Sequence, residues 1–212
     1  MKTNFFTFIF VLVSITGSSQ SNEYYQAMGE SLGGYANCKS GDDFRALGNQ
    51  FERIAQAEAA QWLPLYYHAH CNIIAAFIET DPGEKDAILD VAEKSMNRMI
   101  ELAPNEADVH ALHAMFYTAR LVVNPMERGQ KFGMLSGQAV GKAMALDPTN
   151  PRAQLINLQN EMGTAQFYGK DTKVYCDEAR QLLADWDNFK PKSPLHPSWG
   201  KDQVAGTVES CK

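Results

Sequence analysis

Two stretches of this chain carry one pattern, 44 positions apart. The first runs Ser95-Met-Asn-Arg-Met-Ile-Glu-Leu-Ala-Pro104-Asn-Glu-Ala-Asp-Val-His. The second runs Ala139-Val-Gly-Lys-Ala-Met-Ala-Leu-Asp-Pro148-Thr-Asn-Pro-Arg-Ala-Gln. Leu102 aligns with Leu146, Pro104 with Pro148 and Val109 with Ala153. Each copy reads as an amphipathic helix that stops at a proline and restarts as another helix. A repeat of this length is one helical hairpin that cannot bury its apolar face alone, so neighbours must stack.

The rest of the chain reads the same way. Apolar residues recur at helical spacing over Glu23–Asn37, from Asp42 or Asp43 to Ala60, from Trp62 to Glu79 and over Glu84–Leu102. Further helices are predicted at Glu106–Val122, Gln130–Leu146, Pro151–Phe167 and Thr172–Phe189. The Trp62–Glu79 segment is apolar almost all round and reads as central. Asn124-Pro125 is expected to open a longer connection. Gly133, Gly137 and Gly141 recur every four residues and are expected to mark a face pressed against a neighbour. No strand-like alternation of any length occurs, so the expected class is all-α.

The two junctions resemble the tetratricopeptide repeat family. Ile100-Glu-Leu-Ala-Pro104-Asn and Met144-Ala-Leu-Asp-Pro148-Thr-Asn match the ending of that family's second helix, and the likeness extends over roughly 42–189. The usual repeat is about 34 residues, and the run of helix A residues around Trp62-Leu-Pro-Leu-Tyr keeps only an outline of the family's motif. The resemblance implies a right-handed superhelix of antiparallel hairpins; the predicted helices number about eight, the C-terminal tail is expected to be irregular over the three prolines of Lys190–Gly200, and Asp202–Cys211 reads as either a short final helix or irregular chain. The resemblance also implies a concave groove lined by the first helix of each hairpin. Such grooves bind extended peptides or partner proteins without catalysis. The groove candidates are Tyr67, His68 and His70 on the third helix, then His110, His113 and Tyr117 on the fifth. Asn157, Asn160 and Glu161 follow on the seventh.

Nothing assembles an acid, a base and a nucleophile. No Gly-x-Ser-x-Gly elbow or phosphate-binding glycine loop is present. Glu106, His110 and His113 fall on one helical face and form a weak metal-ligand possibility. The chain is therefore expected not to be an enzyme and to need no cofactor. The alternatives are a metal-dependent hydrolase built on His68, His70, His110 and His113, or a structural subunit of an envelope complex.

Residues 1–19 read as a signal peptide: Lys2, an apolar run over Phe5–Val13, and small residues Gly17 and Ser19 before a cut at Gln20. The remainder, 20–189 as repeat domain and 190–212 as a proline-rich tail packed on it, is expected in the periplasm or outside the cell. No later segment is apolar enough to span a membrane. The net charge of −6 argues against nucleic acid. Export makes disulfides possible among Cys38, Cys71, Cys176 and Cys211. Four cysteines allow three pairings. Cys38–Cys71 and Cys176–Cys211 would close loops worth about 3–4 kcal/mol each, while Cys71, in an apolar helix, reads equally as a buried thiol. Trp199 lies among prolines in a tail that cannot build its own core, so it is expected to fold back on the last helices or into the groove.

Overall fold

A computed structural model describes residues 22–211; the expected leader lies outside them. Its helices are α1 (Asn22–Gly33), α2 (Gly41–Ala57), α3 (Trp62–Ile78), α4 (Pro82–Leu102), α5 (Ala107–Val123), α6 (Pro125–Leu146), α7 (Pro151–Phe167), α8 (Cys176–Asp185) and α9 (Lys201–Ser210). Short 3-10 turns occupy Gly34–Asn37, Lys173–Tyr175 and Trp186–Asn188. No strand occurs among the described residues, so the chain is all-α.

The helix starts are chemically explicit. Ser40 accepts from the Asp43 amide while the Asp43 carboxylate accepts from the Ser40 amide, a reciprocal cap on α2. Asp81, Asn124 and Asn150 cap α4, α6 and α7, each followed by a proline in the first turn. Proline loses nothing there, because that amide would have no intrahelical partner. Asn124 corrects one expectation. It ends α5 and caps α6 at once, so the long connection expected at Asn124-Pro125 does not exist and α6 begins at Pro125. The region Thr172–Phe189 is likewise a 3-10 turn, a ten-residue α-helix and another 3-10 turn rather than one helix, and the tail expected to be irregular is so only to Gly200, after which it forms α9.

The two proline corners repeat in their bonding as well as their sequence. The Ala103 amide donates to Met99 and the Glu106 amide to Ala103; 44 residues on, Asp147 donates to Ala143 and Asn150 to Asp147. Even the side chain that closes each corner recurs. His110 Nε2 lies 2.7 Å from the Pro104 carbonyl, and Gln154 Nε2 donates to the Pro148 carbonyl at 2.8 Å.

Three apolar clusters follow one another along the helices. The first holds Tyr24, Phe51, Tyr66, Ile73, Leu89, Met99, Leu112 and Phe116 from α1–α5, and it also takes Leu195 from the tail. The second joins α5, α6 and α7 through Ala111, Ala114, Val140, Ala143, Ala153 and Ile156. The third joins α7, α8 and α9 through Leu155, Leu158, Ala179, Leu182, Trp186 and Val204. Small residues dominate the second cluster, which lets α5, α6 and α7 approach closely.

The four-spaced glycines of α6 take no part in that approach. A Cβ at Gly137 or Gly141 would meet nothing within 4 Å, and at Gly133 only the end of Leu121 at 3.6 Å. They lie on the open side of α6, which buries only Ser136, Val140 and Ala143. Polar contacts add to the apolar ones that hold α6. Arg128 grips Asp86 of α4 at 2.6 and 2.7 Å, and Arg120 of α5 meets Asp86, Asp90 and Glu93. Deeper in, Thr118, Ser136 and Asn160 bond in a ring across α5, α6 and α7.

Candidate functional site

The third helix presents Tyr66, Tyr67 and His70 on one face, and residues 190–200 lie across that face. The Tyr67 hydroxyl donates to the Leu195 carbonyl at 2.8 Å. The Trp199 indole donates to the Tyr66 hydroxyl at 2.9 Å and lies over the His70 ring with centroids 4.8 Å apart and planes 23° from parallel. The Tyr66 ring lies nearly parallel to that of His70 at 6.2 Å. His196 meets Trp62 edge-on, and Lys192 pairs with Glu106 at the tail's outer edge. Pro191, Pro194 and Pro197 keep the segment from forming a helix, and a turn closed by the His196 amide on the Ser193 carbonyl at 3.0 Å carries it over α3.

Behind this face sits the most unusual charge in the molecule. Arg152 of α7 is 0% exposed. Its Nε donates to Asp108 of α5 at 2.6 Å, and Asn150 adds a bond to the same oxygen at 2.8 Å. Asp108 and Arg152 stand 44 residues apart, at one position of the repeat. The guanidinium lies over the Phe189 ring at 4.6 Å. Both Nη1 and Nη2 are buried without a partner, as is His70 Nε2. His70 is held neutral by burial first and by the Arg152 charge second, its pKa pulled down to about 3. Burial also pushes the Tyr66 and Tyr67 hydroxyls well up.

The other groove candidates fall elsewhere. His68 bonds Ser95 of α4 at 2.7 Å and packs beside Gly48 of α2, away from the tail. His110, His113 and Tyr117 form a ladder of rings along α5, with centroids 6.4 and 6.1 Å apart, continued by Phe132 of α6 at 6.3 Å. Among the described residues no ring contact joins this ladder to the rings on α3. Asn160 is taken up by the ring with Thr118 and Ser136, and Asn157 bonds Glu161 within α7 at 2.9 Å. The nine residues therefore occupy several separate places instead of one trough. Glu106 is turned to Lys192 and the His110 Nε2 to the Pro104 carbonyl, so these side chains do not converge with His113; no cluster of three metal-ligating side chains occurs among the described residues.

His113 gives a measurable consequence. Its Nδ1 is bonded to the Val109 carbonyl at 3.1 Å, and a carbonyl only accepts, so the proton sits on Nδ1. Burial is the largest influence on this ring and holds its pKa down to about 4. The folded chain thus keeps His70 and His113 neutral while the unfolded chain protonates them near pH 6.5. The unfolded state binds more protons, so stability is full above about pH 6.5 and falls as pH drops towards 4. Each ring contributes a slope approaching about 1.4 kcal/mol per pH unit. Urea midpoints between pH 7.5 and 5 should fall with pH, and His113→Gln should flatten the profile. A midpoint that did not move over that range would contradict the burial of these rings.

The cysteines divide. Cys176 and Cys211 are bonded, tying the end of α9 to the start of α8. Cys38 and Cys71 are free thiols, so the second pairing is not formed. Cys71 donates to the Tyr35 hydroxyl at 3.2 Å and Cys38 to the Gly34 carbonyl, and burial pushes Cys71 up to about 12. A thiol so held is inert packing material.

Between the two proline corners and the tail lies a cleft of about 380 Å³, bordered by Asn105, Asp108, Asn150, Phe189, Lys192 and His196. It undercuts the tail on the side of the Asp108–Arg152 pair. The sequence candidates omitted Tyr66, Asp108, Arg152 and Phe189. The 44-residue register links Asp108 to Arg152, but the other two come in only through the path of the tail.

One solved structure has a similar fold over nearly the whole chain. The HusA haemophore from Porphyromonas gingivalis superposes with a TM-score of 0.78 at 27% sequence identity, covering 92% of this chain and 95% of that one. This chain is similar to a haemophore. No protein-family model matches it, and no curated protein matches it significantly. Among the described residues no helix is long and apolar enough to cross a membrane. The likeness bears on the expectation of a noncatalytic binding protein. It does not separate a peptide groove from a small-molecule site.

Proposed function

We propose that this chain is an exported, noncatalytic carrier of haem or a related porphyrin. The observation that carries the reading is the similarity to a haemophore across 92% of the chain. Two features of the structure support it. Flat aromatic and imidazole rings are concentrated on α3 and α5, and their large faces suit a macrocycle. A buried guanidinium with two unpartnered nitrogens provides a counter-charge for an acidic ligand. The leader over 1–19 takes the chain out of the cytoplasm, and the repeat domain with its tail is the carrier.

Ferric haem titrated into the purified chain should shift its Soret band and saturate at a Kd of about 1 μM or tighter, the range a carrier needs to hold its cargo in dilute solution. Failure of the band to shift at well above that concentration would reject the carrier reading.

A second reading, a groove for a peptide, is favoured by the tail itself, which sets Leu195 and Trp199 against α3. A chain that ignored haem but bound a free Leu-His-Pro-Ser-Trp peptide would turn the assignment towards it.

A further inference from the structure

Four observations converge on the surface beneath the tail. The aromatic face of α3 is covered, and its cover comes from an irregular segment rather than a neighbouring hairpin. One element of that cover, the Trp199 ring, is planar and stacked on His70. Arg152, fully buried, keeps Nη1 and Nη2 without acceptors, and His70 keeps Nε2 unpaired. The guanidinium lies over Phe189 and bonds Asp108, and both of those residues line the same cleft as His196 of the tail. Groups of this kind do not persist in a closed core without a reason, since each unpaired buried donor costs stability.

We propose that residues 190–199 are a displaceable strap over the ligand site, with Trp199 holding the place of a planar aromatic ligand and Arg152 supplying the counter-charge to that ligand's carboxylate. This rests on the carrier reading and names its site and its control. The construction of the strap fits the role. Its outer fastening is the Lys192–Glu106 pair at the surface, and an exposed pair of this kind holds weakly. The 380 Å³ cleft already separates one edge of the strap from the domain beside Asp108. Both ends are fixed: α8 precedes it, and α9 is bonded back to α8 through Cys176–Cys211. The strap can therefore lift as a loop and return without the chain end being lost.

At its inner end Gly200 has φ +118°, and a Cβ there would lie 2.5 Å from the Trp186 ring. Only glycine allows the chain to turn from the strap into α9 at that point. With the strap raised, Tyr66, Tyr67 and His70 lose the cover of Leu195 and Trp199, and the Arg152 charge stands close by beneath the Phe189 ring. That combination selects a flat, acidic aromatic molecule over a neutral one. A site closed most of the time binds more weakly by the fraction of time it is open.

The test titrates ferric haem, protoporphyrin IX, protoporphyrin dimethyl ester and the dye anilinonaphthalene sulfonate against the full chain, Trp199→Ala and Tyr67→Phe. The last variant removes only the hydroxyl that holds the Leu195 carbonyl. Both should keep the far-ultraviolet circular dichroism and the cooperative urea unfolding of the parent, and if Trp199→Ala does not, Tyr67→Phe decides. Loosening the strap should tighten haem and protoporphyrin binding, by about tenfold in Trp199→Ala if the closed form exceeds nine-tenths of the population, and by less in Tyr67→Phe. The dimethyl ester, lacking carboxylates, should gain nothing. Unchanged or weaker porphyrin binding in natively folded variants overturns the strap while leaving the carrier reading standing. An equal gain for the ester overturns the role of Arg152. If no form binds haem but the variants gain the anionic dye, the carrier reading falls and the covered site remains; if they gain neither, both fall.

Discussion

Replacing Asp108 with alanine should lower the free energy of unfolding by about 3–5 kcal/mol, because it strands a charge that cannot reach water. Arg152 is completely enclosed, and its one charge partner among the described residues is the Asp108 carboxylate at 2.6 Å. Asn150 loses the same acceptor, and with it a brace on the cap of α7. The pair itself contributes far less than its removal costs, since both charges had to leave water to form it. The double replacement Asp108→Leu with Arg152→Met should therefore recover most of the loss. Urea denaturation of the three forms measures this. The exposed Asp42–Arg45 pair is the control, and Asp42→Ala should change stability by well under 1 kcal/mol. A loss below about 1 kcal/mol for Asp108→Ala would mean that Arg152 reaches water or another acceptor, contrary to its enclosure.

Cys176→Ser or Cys211→Ser should cost about 4 kcal/mol, the chain-entropy value for a bridge spanning 35 residues. The loss should be local in character. The bridge holds α9 on α8, and α9 contributes Val204 to the third apolar cluster. The first cluster, built from α1–α5, receives only Leu195 from the region after α8. Hydrogen exchange should speed up in α8, α9 and the tail, while amides in α3 and α5 away from the tail keep their protection. Reduction of the parent protein should reproduce the change. If the serine variants melt within about 1 kcal/mol of the parent, packing alone secures α9 and the bridge constrains little.

Much of the fold was legible because it is written locally. The proline corners at Pro104 and Pro148 repeat in sequence, and the same backbone and side-chain bonds recur there 44 residues apart. A helix stop, a cap and a first-turn proline depend on neighbours within a few positions, so their signal is complete in the sequence. The same locality explains the error at Asn124: one asparagine can both end a helix and cap the next, and composition around Asn-Pro reads as a loop either way. At Gly133, Gly137 and Gly141 the spacing was right for close packing, but which side of α6 faces a neighbour depends on α5 and α7.

The candidate site was legible only in part. His110 and His113 share a face of α5 and do lie side by side, since spacing along one helix decides that. Whether Tyr67 and His70 share a surface with them depends on how two hairpins pack, and in the structure they do not. By itself the amino-acid order determined the helices, their corners and their stacking unit, because each arises from hydrogen bonds and apolar faces a turn or two apart. Only the tertiary structure decided that the tail covers α3, that Arg152 is buried with two nitrogens unpartnered, and that Cys71 keeps its thiol. Those outcomes join residues scores of positions apart, and their free energy comes from excluding water at contacts that no local pattern records.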